Sequence, residues 1–178
     1  HYTLDGLDVQ AYLGDLVRKV YRHPRIHVYP GATILATAGF VGNFETKVKT
    51  EGRVLEIKHG ATVIATGADE HRPSEYLYGK DDRVLTQLEL EQKIAYGDAG
   101  LDGSRSVVMI QCVGCRQEDR NYCARICCGH AVKNALKIKA KAPRTDVTIV
   151  FRDMRTYGYT EDFYREARAR LHPDGVIC

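Results

Sequence analysis

The apolar run Val107-Val108-Met109-Ile110 ends at Gln111 and opens into a stretch carrying Cys112, Cys115, Cys123, Cys127 and Cys128, five of the six cysteines in the chain. A short buried strand followed at once by so many thiols limits what this region can become. The loop must bring soft ligands together rather than bury another hydrophobic element. Thiolates bind iron–sulfur clusters and zinc tightly, and four of them from one short loop can close around such a centre. Ten residues separate Cys112 from Cys123, three separate Cys123 from Cys127, and Cys128 is adjacent. Structural zinc sites usually come as two separated C-x-x-C knuckles, and the second knuckle is missing here. A [4Fe–4S] cluster therefore leads, with zinc and structural or redox thiols as the alternatives. A buried cysteine can act as a small hydrophobe, but five of them beside Arg116, Glu118, Asp119 and Arg120 do not read as core.

Length and composition narrow the class. A chain of 178 residues with 44% hydrophobic residues can bury one large core or two small ones. Its net charge of +3 is scattered, without the basic stripe and interleaved aromatics that nucleic-acid binding requires, so no nucleic-acid partner is expected. No apolar run reaches membrane-spanning length, and no signal peptide precedes the first helix. Clustered, unevenly spaced cysteines then point to a reducing cytoplasm rather than to a disulfide scaffold. His1 is not an initiator methionine and Cys178 falls inside the strand-like Gly175-Val176-Ile177-Cys178, so the chain is expected to be a fragment.

Along the chain, Leu7 to Tyr21 has the spacing of an amphipathic helix with Leu7, Ala11, Leu13, Leu16, Val17 and Val20 on one side. His23-Pro24 should end it, since proline disfavours helical geometry in the preceding residue. Ile26 to Tyr29 is predicted as a short strand. Thr33–Gly39, Asn43–Thr50 and Arg53–Lys58 alternate as an antiparallel β-meander. Gly60 to Ala68 is predicted as a buried strand ending in Ala65-Thr66-Gly67, where small residues would let a nucleotide approach the backbone. That order of elements resembles the second half of FAD domains of the thioredoxin reductase class, without the amino-terminal strand and GxGxxG that grip the pyrophosphate.

Leu85 to Ile94 is predicted as a helix, and Gly97, Gly100 and Gly103 as a linker. This divides the chain into residues 1–103, an FAD half-domain, and 104–178, a Rossmann-like unit. The second part reads βαβαβ: strand Ser106–Gln111, cysteine loop, helix His130–Ala140, strand Val147–Phe151, helix Glu161–Arg170, and a strand from Val176. Such alternation means a parallel sheet. The fold class is thus α/β. The first strand-to-helix turn, where a dinucleotide domain would carry glycines, holds the cysteine loop instead, so NAD and NADP are not expected to bind. Asp153 stands where a ribose acceptor would, but Arg152 and Arg155 make a surface ion pair an equal reading.

Val108-Met109-Ile110-Gln111-Cys112-Val113-Gly114, Tyr122-Cys123, Cys127-Cys128, His130-Ala131-Val132-Lys133-Asn134-Ala135 and Arg152-Asp153-Met154-Arg155-Thr156-Tyr157-Gly158 resemble the A-type iron–sulfur flavoprotein subunit of heterodisulfide reductase, with its relatives in anaerobes. Tyr76-Leu77-Tyr78-Gly79 and Val84-Leu85-Thr86-Gln87-Leu88-Glu89 are similar to the same family. The resemblance implies an oxidoreductase with a thioredoxin-reductase-like core. It implies FAD, contacted by Ala65, Thr66 and Gly67, and a [4Fe–4S] cluster held by Cys112, Cys123, Cys127 and Cys128. It also places Lys133 near the flavin N5, where its charge would stabilise the reduced flavin. Expected partners are the other heterodisulfide-reductase-type subunits, with ferredoxin or hydrogenase-type donors and acceptors. In methanogens such a flavoprotein bifurcates electrons between the CoM-S-S-CoB heterodisulfide and ferredoxin. The family usually has serine where this chain has Cys115. Two other readings stay open: a thiol–disulfide reductase using Cys112 and Cys115, and a zinc-stapled interaction domain.

Overall fold

The computed structural model describes residues 2–3, 5–97 and 105–171. Its elements, in order, are α1 (Val9–Arg22), β1 (Thr33–Phe40), β2 (Asn43–Thr50), β3 (Arg53–His59), α2 (Gln87–Tyr96), β4 (Ser106–Ile110), α3 (Cys127–Lys141), β5 (Asp146–Val150) and α4 (Thr160–Leu171). They form an antiparallel sheet, β1-β2-β3, and a two-stranded parallel sheet, β4-β5, so the chain is mixed α/β. Two compact units result, one of residues 11–69 and one of residues 1–10 with 70–178. Among the described residues no helix is long and apolar enough to cross a membrane.

In the first unit the meander forms as expected. Alternation places Thr46, Val48 and Thr50 of β2 on a buried face, and the Thr46 hydroxyl is tied to Thr37 Oγ1 at 3.1 Å and His59 Nε2 at 2.8 Å. Gly39, at φ +99°, is required by close approach, because a Cβ there would lie 2.2 Å from the Asn43 carbonyl. The helix begins at Val9 rather than Leu7, since the Asp8 carboxylate accepts the Gln10 N–H at 2.9 Å and caps the start. No α1 residue is buried.

Two expected strands do not form. Residues 26–29 are irregular, and residues 60–68 run without a ladder partner, leaving Val63 and Ile64 exposed at 88% and 83%. An apolar run becomes a strand only when a neighbour takes its backbone hydrogen bonds, and no described strand pairs with either segment. The predicted linker positions Gly100 and Gly103 and the strand from Val176 lie outside the described residues.

The second unit is built on α3. Ala131, Val132, Ala135 and Ile138 form its buried stripe and pack with Leu90 and Ile94 of α2, Met109 of β4, Val147 and Ile149 of β5, and Ala167 of α4. β4 and β5 pair in parallel from Ser106↔Asp146 to Ile110↔Val150. The helix α2 starts at Gln87, two residues later than expected, because Thr86 and Glu89 close a reciprocal capping box. Gly97 ends it at φ +71°, donating its N–H to the Lys93 carbonyl. The helix α3 starts at Cys127, three residues before the predicted His130, which moves the cysteine pair from the loop into the first helical turn.

Candidate metal centre

β4 ends at Ile110, and the Gln111 N–H donates to the Val150 carbonyl at 2.9 Å, so the parallel ladder holds the chain up to Cys112. Cys112 then adopts φ +64° and Gly114 φ +72°. A turn follows in which the Cys115 N–H donates to the Cys112 carbonyl at 3.3 Å. The loop folds back on itself, the Arg116 N–H reaching the Tyr122 carbonyl at 3.0 Å. This return brings Cys123 beside the turn, and α3 then presents Cys127 and Cys128 from its amino-terminal end. No acid occupies the first turn of α3 and no side chain caps it, so its free N–H groups and dipole favour negative charge at these cysteines.

Cys112, Cys115 and Cys128 are buried, while Cys123 and Cys127 are partly so. Each sulfur faces an N–H donor. Arg116 Nη1 stands 3.9 Å from the Cys112 sulfur and the Arg125 N–H 3.3 Å from that of Cys123. The backbone N–H of Ala124 serves Cys115, that of Cys112 serves Cys127, and that of Arg155 serves Cys128. Donors aimed at sulfur stabilise a metal-bound thiolate and tune its centre. A hydrogen bond between the adjacent thiols raises Cys127 and lowers Cys128 to about 7. Burial pushes the Cys115 thiol up, which makes it a poor nucleophile for disulfide exchange.

The donor set fits an iron–sulfur cluster. In a [4Fe–4S] centre each thiolate binds its own iron, so the sulfurs need not converge on one point. Among the described residues no group of three or more His, Cys, Asp or Glu side chains is placed to hold a single metal ion. A buried, unpartnered side chain stands at the entry to the loop. Gln111 is 7% exposed, and both ends of its carboxamide are buried without a hydrogen-bond partner among the described residues. Such a group costs roughly 1–3 kcal/mol unless something accepts and donates to it. Strand alternation puts it on the same side as buried Met109, opposite exposed Val108 and Ile110.

Behind the cysteines lies a network that spacing did not disclose. Glu91 of α2 is 2% exposed. Its Oε2 accepts from Lys133 Nζ at 2.7 Å and from His130 Nε2. Lys133 also donates to the Tyr2 carbonyl at 3.0 Å and sits 4.7 Å over the Tyr2 ring. Fully buried Asn134 joins the Tyr2 hydroxyl at 3.0 Å to the Gln87 side chain at 2.9 Å and the Gln87 carbonyl at 3.1 Å. The sequence signal for Glu91 was present, since it lies on the same helical stripe as Leu90 and Ile94, where a charge must be paired.

Asp153 resolves to an ion pair with one of its two neighbours, Arg155, and with Arg116 of the cysteine loop in place of Arg152. Its oxygens take Arg116 Nη1 and Arg155 Nε, whereas Arg152 donates to the Arg116 carbonyl. Both arginines lower its pKa, Arg155 the more. The two guanidinium groups occupy the carboxylate that a ribose would need. Ala65, Thr66 and Gly67 belong to the other compact unit, where they are exposed and Gly67 has φ +70°. An open cleft of ≈ 770 Å³ lined by Arg72, Tyr78, Asp81, Glu89 and Lys93, among others, contains none of the cysteines.

No protein-family model matches the chain. Curated relatives do. The A-type subunit of the H2:CoB-CoM heterodisulfide, ferredoxin reductase of Methanothermobacter thermautotrophicus is 38% identical over 135 residues, which is 67% of this chain and 20% of that protein. The A-type iron-sulfur subunit of the CoB–CoM heterodisulfide reductase of Methanocaldococcus jannaschii is 40% identical over 134 residues, 66% of this chain and 20% of the relative. The A-type subunit of the ferredoxin/F420H2-dependent CoB-CoM heterodisulfide reductase of Methanosarcina acetivorans is 36% identical over 138 residues, covering 68% and 17%. The chain thus matches about a fifth of the length of these relatives.

Proposed function

We propose that this chain, a homologue of part of the A-type subunit of heterodisulfide reductase, is an electron-transferring module in which Cys112, Cys123, Cys127 and Cys128 hold a [4Fe–4S] cluster that exchanges electrons with FAD. The observation that carries this reading is the thiol set itself: five sulfurs, each facing an N–H donor, gathered between the carboxyl end of β4 and the amino end of α3. The relative from Methanocaldococcus jannaschii is itself named an iron-sulfur subunit. When bound, the cluster supplies a one-electron carrier. The chain's residues do the rest. Loop hydrogen bonds fix the four thiolates, the α3 amino terminus balances their negative charge, and Arg116, locked on Asp153, holds a positive charge beside Cys112.

FAD belongs to the same proposal. Residues 1–103 would form the second half of its binding domain, in a thioredoxin-reductase-like fold, and residues 104–178 the Rossmann-like unit that carries the cluster loop. Ala65, Thr66 and Gly67 offer exposed backbone for close approach. Lys133 would place its charge near the flavin N5, its ammonium already oriented by Glu91 and the Tyr2 carbonyl. The parent protein would work with other heterodisulfide-reductase-type subunits and with ferredoxin or hydrogenase-type partners, and its flavin would be the point of electron bifurcation.

Anaerobic reconstitution tests the cluster. Expected are about four irons and about four sulfides per chain, abolished by serine at Cys123, Cys127 or Cys128. Zinc without sulfide in strictly anaerobic protein would overturn the reading.

A further inference from the structure

We propose that Cys115 is a reserve ligand of the cluster, interchangeable with Cys112, so that the site carries five thiols for four irons. This rests on the cluster reading above and adds a ligand to it. Cys115 is 6% exposed, yet it is absent from the hydrophobic core formed by α2, α3, α4, β4 and β5. A cysteine buried as a small hydrophobe would sit in that core. Its neighbours are instead thiols and backbone donors. Its sulfur accepts the Ala124 N–H and interacts electrostatically with Cys112, Cys127 and Cys123. Ala124 directly follows Cys123, so one short segment serves both sulfurs. Cys115 thus has the support that each of the other four thiols has.

Backbone geometry makes the exchange short-ranged. Cys112 and Cys115 are the two ends of one turn closed by the 3.3 Å bond between them, and both are buried, at 8% and 6%. The turn is pinned at Gly114, where a Cβ would lie 2.1 Å from the His71 ring, and His71 is in turn joined to Arg120 at 3.0 Å. Side-chain rotation within a fixed turn can therefore substitute one sulfur for the other. In that exchange the Cys115 thiol would give its proton to solvent as its sulfur becomes the ligand, and the Cys112 thiolate it replaces would take up a proton, so that nothing is oxidised or reduced.

The test is anaerobic reconstitution of the whole chain as Cys112→Ala, Cys115→Ala and the double variant, with iron, sulfide and the electron paramagnetic resonance of the reduced protein as readouts. Alanine leaves no side-chain donor at either position. Both single variants should keep most of the wild-type iron and sulfide, with a changed resonance in Cys112→Ala, while the double variant should lose about tenfold or more. Iron lost from Cys112→Ala as fully as from the double variant, with the fold intact by circular dichroism, would overturn the exchange and leave the cluster standing. If Cys112→Ala does not fold, Cys112→Ser with and without Cys115→Ala decides, since only an exchange makes the second substitution matter. Wild-type protein that takes up neither iron nor sulfide would overturn the cluster reading itself.

Discussion

Glu91→Gln is expected to be among the most damaging isosteric changes in the α2–α3 unit. The carboxylate is shared by two side chains of α3: Oε2 bonds Lys133 Nζ at 2.7 Å and His130 Nε2, while Oε1 takes the Tyr2 N–H at 3.4 Å. The side chains of Glu91, Lys133 and His130 are only 3%, 14% and 18% exposed. Burial alone would raise the carboxyl, but hydrogen bonds, that of Lys133 the strongest among them, outweigh it and hold the group at about 2 instead of 4.5. A difference of about 2.5 at 1.36 kcal/mol each corresponds to about 3 kcal/mol of folding free energy by linkage. Removing one member of a buried pair costs about 3–5 kcal/mol in general, because the partner charge is left uncompensated. With a urea slope of about 1–3 kcal/mol/M, a loss of about 3 kcal/mol should lower the unfolding midpoint at pH 7 by about 1–3 M. Circular dichroism follows it, since α2, α3 and α4 supply most of the helix. The folded carboxyl is depressed, so its contribution is complete above pH 4.5 and is lost as pH falls toward about 2. The difference between wild type and variant should shrink across that window. A midpoint change under about 0.3 M at pH 7, or a difference that stays constant down to pH 3, would refute the reasoning. Adding Lys133→Met should return part of the loss, as removing the orphaned cation does in a coupled pair.

Asn134→Leu should destabilise by about 1–3 kcal/mol in the same unfolding assay, because it takes from the part-buried Tyr2 hydroxyl and Gln87 side chain their shared partner. Gln111→Met should stabilise the cluster-free protein by about 1–2 kcal/mol by removing two unpartnered buried polar atoms. In the loaded protein it should shift the cluster potential in an anaerobic potentiometric titration, and an unchanged potential would mean the carboxamide does not face the centre. This chain alone should bind FAD weakly or not at all, since the pyrophosphate-gripping helix end is not in it, and stoichiometric flavin retained on purification would contradict that. NADH and NADPH titrated by calorimetry should show no saturable binding to the unit from Ser106 to Cys178, where the turn after β4 carries Cys112, Arg116 and Glu118 and a lone Gly114.

Local pattern was enough for most of the architecture. Period-two alternation gave β1, β2 and β3, and a period-3.6 stripe gave α1 within two residues, because a side chain's face follows from its own backbone geometry. The density of cysteines likewise marked the site before any contact was known. Helix starts were less legible. Asp8 fixed α1 and the Thr86/Glu89 box fixed α2, small local signals outweighed in reading by the hydrophobic pattern. What only the tertiary structure decided concerns partners. Gly60 to Ala68 has the composition of a buried strand, but no described neighbour supplies its ladder, and composition carries no information about that. Lys133 was marked in the sequence only by the family resemblance, and its buried ion pair came from α2, which brought Glu91 to it across 42 residues of sequence. Asp153 found Arg116 across 37 residues, and the Gln111 carboxamide ended without a hydrogen-bond partner among the described residues. Charge pairing depends on which elements pack side by side, and the sequence encodes that only through the whole fold, so these residues became readable once α2, α3 and the parallel strands stood together.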